Sequence, residues 1–197
     1  MTASKGYTLA ELLAMLAIVA MAVAVTLPAA AMLRDAGRAA AGARTMATLL
    51  SAQRWKSVSQ HHVRGFQFRK IGARWSWREV ADGNGNGLRT VEIARGVDRV
   101  LSVDETIEHL VEHASLGFPP TGTFPEAPPG TQTLRAGDNP VRFGNSTLVS
   151  FSPTGAASSG TLYVTDGHQG LYAVVLFGPS SRLRVWRWVP EARRWTL

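Results

Sequence analysis

At 197 residues the chain has room for one globular domain and an appendage, and with no cysteine it makes no disulfide. Its net charge of +7 rests on arginine, since lysine occurs only at Lys5, Lys56 and Lys70, and guanidinium groups keep carboxylate- and phosphate-bearing partners open. No Ser/His/Asp, Cys/His or paired-carboxylate arrangement and no phosphate-cradling glycine loop stands out, so the chain is not expected to be an enzyme or to need a cofactor.

The appendage is N-terminal. Residues 12–33 carry no charge and are rich in Ala, Leu, Val and Met. At about 1.5 Å per residue this run matches a bilayer core of about 30 Å. A secretory signal, a plain signal anchor and a cleaved leader with a retained helix all begin this way. Lys5 and the small residues Ala29, Ala30 and Ala31 would serve a secretory signal. Glu11 argues against it, because a carboxylate just inside an apolar run costs a few kcal/mol on insertion scales unless something compensates it.

The segment Lys5, Gly6, Tyr7, Thr8, Leu9, Ala10, Glu11, Leu12, Leu13 resembles the processing motif of type IV pilins and type II secretion pseudopilins. The resemblance implies cleavage by a prepilin peptidase between Gly6 and Tyr7, and N-methylation of Tyr7. It also implies that Glu11 pairs with the N-terminal ammonium of a neighbouring subunit, so a costly intramembrane charge becomes an assembly device. Pro28 stands where many members have a proline that loosens the helix. Tyr replaces the commoner Phe at the first mature position, and Ala10 is smaller than usual. The implied organisation is a leader at 1–6, a transmembrane half-helix at 7–33, a soluble half-helix at 34–60 and a β-rich domain at 61–197.

Beyond the apolar run, Ala39, Ala43, Met46, Leu49 and Leu50 recur at helical spacing in a proline-free stretch reaching about residue 59, while Arg38, Arg44 and Arg54 can face elsewhere. Alternation then predicts strands at 63–71 and 74–80, and a hairpin from the latter through the glycine-rich 82–87 to a strand at 88–94. A helix is expected at 104–114 and a proline-rich surface loop at 117–140. Further strands are expected at 148–151, 161–165, 171–177, 182–189 and 194–197.

The order of the 82–87 turn, Val149 to Gly155, Ser158 to Leu162 and Ser181 to Val185 is similar to that in H-class type II secretion pseudopilins and the related FimT and FimU minor pilins. The expected fold is therefore α+β and pilin-like, with a long N-terminal transmembrane helix packed on an antiparallel β-sheet domain. The implied role is a minor pseudopilin acting at or near the tip of a secretion filament. The implied setting is a single pass through a bacterial inner membrane with the C-terminal domain periplasmic or otherwise extracytoplasmic. Implied partners are other pilins or pseudopilins, the prepilin peptidase, membrane lipid and secreted cargo.

Three other patterns carry chemistry. His109, Leu110, Val111, Glu112, His113 spells H-x-x-E-H, a zinc-peptidase pattern that needs a regular helix and a third ligand, which the sequence does not offer. Asp82, Asn84, Asn86 and Gly87 match the first half of a calcium loop, but Ile93 occupies the position of its bidentate glutamate, so a turn is the default and no metal is expected. The C-terminal Arg182, Arg184, Arg187, Arg193 and Arg194 lie among Trp186, Trp188 and Trp195. Such a pattern suits DNA, as in some FimT-like pilins, so the alternative role is a FimT-like minor type IV pilin in pilus biogenesis or DNA uptake; cation–π packing and protection of a strand edge account for the same residues more simply.

Overall fold

A helix formed by residues with no proline between 29 and 59 runs long, and in the computed structural model α1 spans Leu9–Ser59. The structure describes residues 8–197, with the side chains of 25–36 outside that description. The chain divides into two compact units, Met1–Asp35 and Ala36–Leu197.

In the first unit, Leu9, Leu12, Leu13, Leu16, Ile18 and Val19 are all more than half exposed. The expected transmembrane half is not met here: among the described residues no helix is long and apolar enough to cross a membrane. The apolar run read at 12–33 continues into 25–36, whose side chains lie outside the described residues.

The second unit is α+β with antiparallel sheets. Strands β1 (Arg64–Ile71) and β2 (Arg74–Ala81) form a full-length hairpin around Gly72 and Ala73, with Gly72 at φ 62°. The expected partnership between 74–80 and 88–94 is corrected: the chain leaves β2 for a short helix, α2 (Thr90–Ala94). The Asp82 carboxylate draws in the backbone N–H groups of Asn84, Gly85 and Gly87, so this segment closes on itself and cannot run as a hairpin ladder. Ile93 of α2 buries against Val80 and Leu148.

Two-residue strands β3 (Arg99–Val100) and β4 (Glu105–Thr106) edge β2. The helix expected at 104–114 shrinks to α3 (Ile107–Leu110), because Glu105 and Thr106 pair with β2 and Ser115–Leu116 forms β5. The proline-rich stretch contains a small hairpin of β6 (Thr123–Pro125) and β7 (Thr133–Arg135), followed by β8 (Val141–Arg142). Then come β9 (Leu148–Phe151), β10 (Gly160–Thr165), β11 (Leu171–Phe177), β12 (Arg182–Val189) and β13 (Arg194–Thr196), matching the predicted strands to within a residue.

The strands make two principal sheets. The first has the order β3-β2-β1-β9, with β4 also on β2; the second has the order β13-β12-β11-β10-β5, with β8 also on β10. Ala43, Met46 and Leu50 of α1 share one core with Phe66, Phe68, Trp77, Val149 and Phe151 of the first sheet and Leu162, Val164, Val174 and Leu176 of the second. The helix stripe therefore joins both sheets. It continues past the apolar positions: Gln53 Nε2 donates to Gly65 O at 3.1 Å, and Ser57 Oγ lies 2.7 Å from the carbonyls of both His62 and Phe151. Gly42 permits the close approach, since a Cβ there would meet Ala114 Cβ at 2.8 Å and Val164 Cγ1 at 3.1 Å.

Leu50→Ala should lower stability by about 2–5 kcal/mol, whereas Leu49→Ala, at a half-buried position, should cost clearly less. Gly42→Leu should destabilise by at least about 1–3 kcal/mol through overpacking, with all three compared by urea unfolding of the full chain.

Candidate functional site

The second sheet is covered on both faces, and the side away from α1 carries the most distinctive chemistry. Tyr163, Ala173, Val175 and Trp188 project from that side and bury against Phe118, Phe124, Ala127 and Leu134. The stretch 117–140 is thus a packed cover, in place of the expected surface loop. Alternation cannot reveal this, because its apolar residues are spaced irregularly among prolines. Phe118 sits 4.8 Å from Tyr163 between ring centroids, Phe124 meets Trp188 edge-on at 6.1 Å, and Trp188 contacts Trp195 at 5.4 Å.

Among the hydrogen bonds that pin the cover, two involve aromatic side chains. The Ala127 backbone N–H donates to Tyr163 Oη at 3.0 Å, and Trp195 Nε1 donates to Pro125 O at 2.8 Å. Pro128 and Pro129 follow directly and form one wall of a groove of about 480 Å³, whose floor includes Phe177, Arg182, Arg184 and Trp186.

The five C-terminal arginines do not form one surface. Arg182 and Arg184 are exposed beside Trp186 on the groove side, because register places Phe177, Val175 and Ala173 opposite these three residues. Arg187 pairs with Tyr172 and Thr196, and Arg194 with Val189, so both belong to the opposite face. Arg193 lies in the turn before β13 at φ 47°. Trp188 is 7% exposed and Trp195 is engaged by Pro125, so neither is presented for base stacking.

Three of the four segments similar to minor pseudopilins, 149–155, 158–162 and 181–185, meet at the end of this sheet marked by Gly160, Phe177 and Arg182, while the 82–87 turn bonds within itself and to residues 89–98. Ser158 Oγ accepts from Ser150 N at 3.1 Å, and Ser158 N donates to Ser150 O at 2.9 Å, tying the start of β10 to β9. Ala157 N donates to Gly178 O at 2.9 Å, Gly178 N donates to Ser159 Oγ at 2.9 Å, and the Ser181 hydroxyl donates to Gly155 O. The β11–β12 connection, a 3-10 turn at Gly178–Ser180, is thereby fastened where the two sheets meet. A Cβ on Gly178 would come within 2.3 Å of Ala157 O.

Of the N-terminal candidates, Gly6 and Tyr7 lie outside the described residues, and so does the side chain of Pro28. Glu11 is described. Thr8 N and Thr8 Oγ1 donate to Glu11 Oε2 at 2.9 and 3.0 Å, and Glu11 N donates to Thr8 Oγ1 at 3.3 Å. Thr8 and Glu11 thus make a reciprocal capping box at the start of α1. Its signal in the sequence is the T-x-x-E spacing, which the reading of Glu11 as an intramembrane charge passed over.

The metal patterns resolve into structural contacts. His109 Nδ1 lies 2.8 Å from Glu105 Oε1, and α3 ends at Leu110, before the helical turn that H-x-x-E-H requires. In the 82–87 turn every Asp82 acceptor faces a backbone N–H, and Asn84 and Asn86 donate to Glu92. Asp98, also buried, accepts from Gly83 N and Arg89 N. Among the described residues no group of three His, Asp or Glu side chains could hold a metal.

No family model, curated protein or solved structure matches the chain.

Two titrations follow. Burial alone would raise the Asp82 carboxyl, but the N–H groups of Asn84, Gly87 and Gly85, with His62 nearby, outweigh it and hold it below its ordinary 3.8. Its stabilising contribution is therefore complete above about pH 4 and is lost as pH falls through the lower folded value. Asp82→Ala should cost about 1–3 kcal/mol at pH 7, and its difference from wild type in urea titrations should shrink as the solution is acidified below about pH 4. Burial pushes the Tyr163 phenol up to about 12 from 10.0. The folded state should therefore lose stability as pH rises from 10 towards 12, a component that Tyr163→Phe should remove; absorbance of the ionised phenol and urea midpoints measure both.

Proposed function

We propose that this chain is a minor pseudopilin of a bacterial type II secretion filament, a structural subunit that assembles through α1 and presents the β-rich unit to partners. The observation that carries the reading is Glu11: one carboxylate at the head of a helix whose residues 12–33 bear no charge, immediately after the Gly6–Tyr7 processing motif. The exposed Leu12, Leu13, Leu16, Ile18 and Val19 support it, because a helix apolar on several sides needs lipid or neighbouring helices as its surroundings.

In this reading the prepilin peptidase removes residues 1–6 at the cytoplasmic face, where Lys5 agrees with the positive-inside bias. Tyr7 becomes the methylated N-terminus. Glu11 then exchanges its capping contacts with Thr8 for the ammonium of an adjacent subunit, which is affordable because charge replaces neutral donors. The antiparallel α+β unit, with the second half of α1 in its core, supports the pilin-like architecture in outline.

Intact-mass spectrometry of the protein recovered from cells expressing a prepilin peptidase should give a chain beginning at Tyr7 with one added methyl group. Retention of residues 1–6 under active processing would overturn the assignment. Glu11→Val should still be cleaved at Gly6 yet fail to co-sediment with assembled filaments.

A further inference from the structure

The edge of β12 is only partly used. β13 pairs with Arg187, Trp188 and Val189, and among the described residues no strand pairs with residues 182–186 on the side away from β11. Five residues of extended chain, about 17 Å, therefore present backbone donors and acceptors at a sheet edge. The groove walled by Pro128 and Pro129 lies on one face of this same stretch, and all of its parts belong to the unit Ala36–Leu197.

We propose that this edge and groove receive an extended acidic segment of a partner protein, which adds to β12 as a further strand in line with β13. Backbone pairing to residues 182–186 supplies the register. An apolar side chain of the incoming strand enters the groove over Phe177, which is 54% exposed, and Trp186. Carboxylates at alternate positions meet Arg182 and Arg184, which share that face and are exposed. No residue lining the groove is acidic.

The charge pattern selects this occupant over two others. A second copy of the chain paired edge to edge would bring Arg182 and Arg184 against their own counterparts, and like charges across a strand pair are unfavourable. A nucleic acid would find two arginines, but it cannot match a backbone edge in which half of the groups are carbonyl acceptors. Nor would it find an exposed indole at Trp188. Arginines that merely guard an edge explain the charges alone. They leave the exposed Phe177 and the proline wall without a role.

The full chain in detergent micelles can be titrated into a fluorescein-labelled peptide of about ten residues that alternates Glu and Val around a central Leu. Anisotropy should report binding, at least about tenfold tighter than to the same peptide with Lys for Glu. N-methylation of alternate peptide amides should weaken it at least about tenfold while leaving the side chains intact, and R182E/R184E should do the same from the protein side. Hydrogen exchange should show new protection at residues 182–186. Equal affinity for the acidic and basic peptides, indifference to N-methylation, or unchanged exchange at 182–186 would each overturn the proposal. So would tighter binding of a labelled DNA oligonucleotide to the same surface, or self-association that excludes the peptide.

Discussion

The second unit depends on one helix stripe serving two sheets. Ala39, Ala43, Met46 and Leu50 recur on one side of α1 and are fully buried, and the same line continues into Gln53 and Ser57. The apolar part drives association without direction. The polar end supplies direction, because Gln53 reaches the Gly65 carbonyl of β1 and Ser57 reaches those of Phe151 and His62. A sliding helix would leave these buried groups unpaired, so the two hooks set the axial position that the apolar contacts alone leave loose.

With the helix filling one side, the second sheet has a further face to bury, and it does so with aromatic residues. Tyr163, Trp188 and Trp195 hold a proline-rich cover whose only strands among the described residues are the short β6–β7 hairpin. Prolines suit this task, since a segment with restricted backbone freedom loses less entropy when it is fixed. The Tyr163 hydroxyl meets the Ala127 N–H one residue before Pro128, so the contact that secures the cover also positions the groove wall. That bond, one of several holding the cover, ties its stability to the shape of the candidate binding surface.

The two ends of the chain treat charge differently. At the N-terminus one carboxylate is gathered by the first turn of its own helix, through the Thr8 box. At the C-terminus the arginines are divided by the pleat: Arg182 and Arg184 face the groove, Arg187 and Arg194 the opposite side, and Arg193 the turn. A basic cluster that looks continuous along the chain is, across a sheet, two separate pairs and a single residue. Partner readings based on linear charge density weaken accordingly, and those based on one strand face gain.

Local periodicity was enough to read the helix stripe at 39–50 and the strands at 64–71, 74–81, 148–151, 160–165, 171–177 and 182–189, because each pattern is set by neighbours within a few residues. The Thr8–Glu11 box, which the reading of Glu11 as an intramembrane charge passed over, was equally local. Pairing was not: β1 chose β2 and β9, and 88–94 became α2, because Asp82 closed the intervening turn with three backbone N–H groups. The amino-acid order by itself determined the long helix and its apolar stripe, the long strands, and where the lone N-terminal carboxylate sits, but not the short elements at 88–94, 104–116 and 123–135. Only the tertiary structure decided that the strands split into two sheets, that 117–140 lies over aromatic residues, and that residues 182–186 keep an open edge. Each of those outcomes is a competition between surfaces distant along the chain, and no window of sequence contains both competitors.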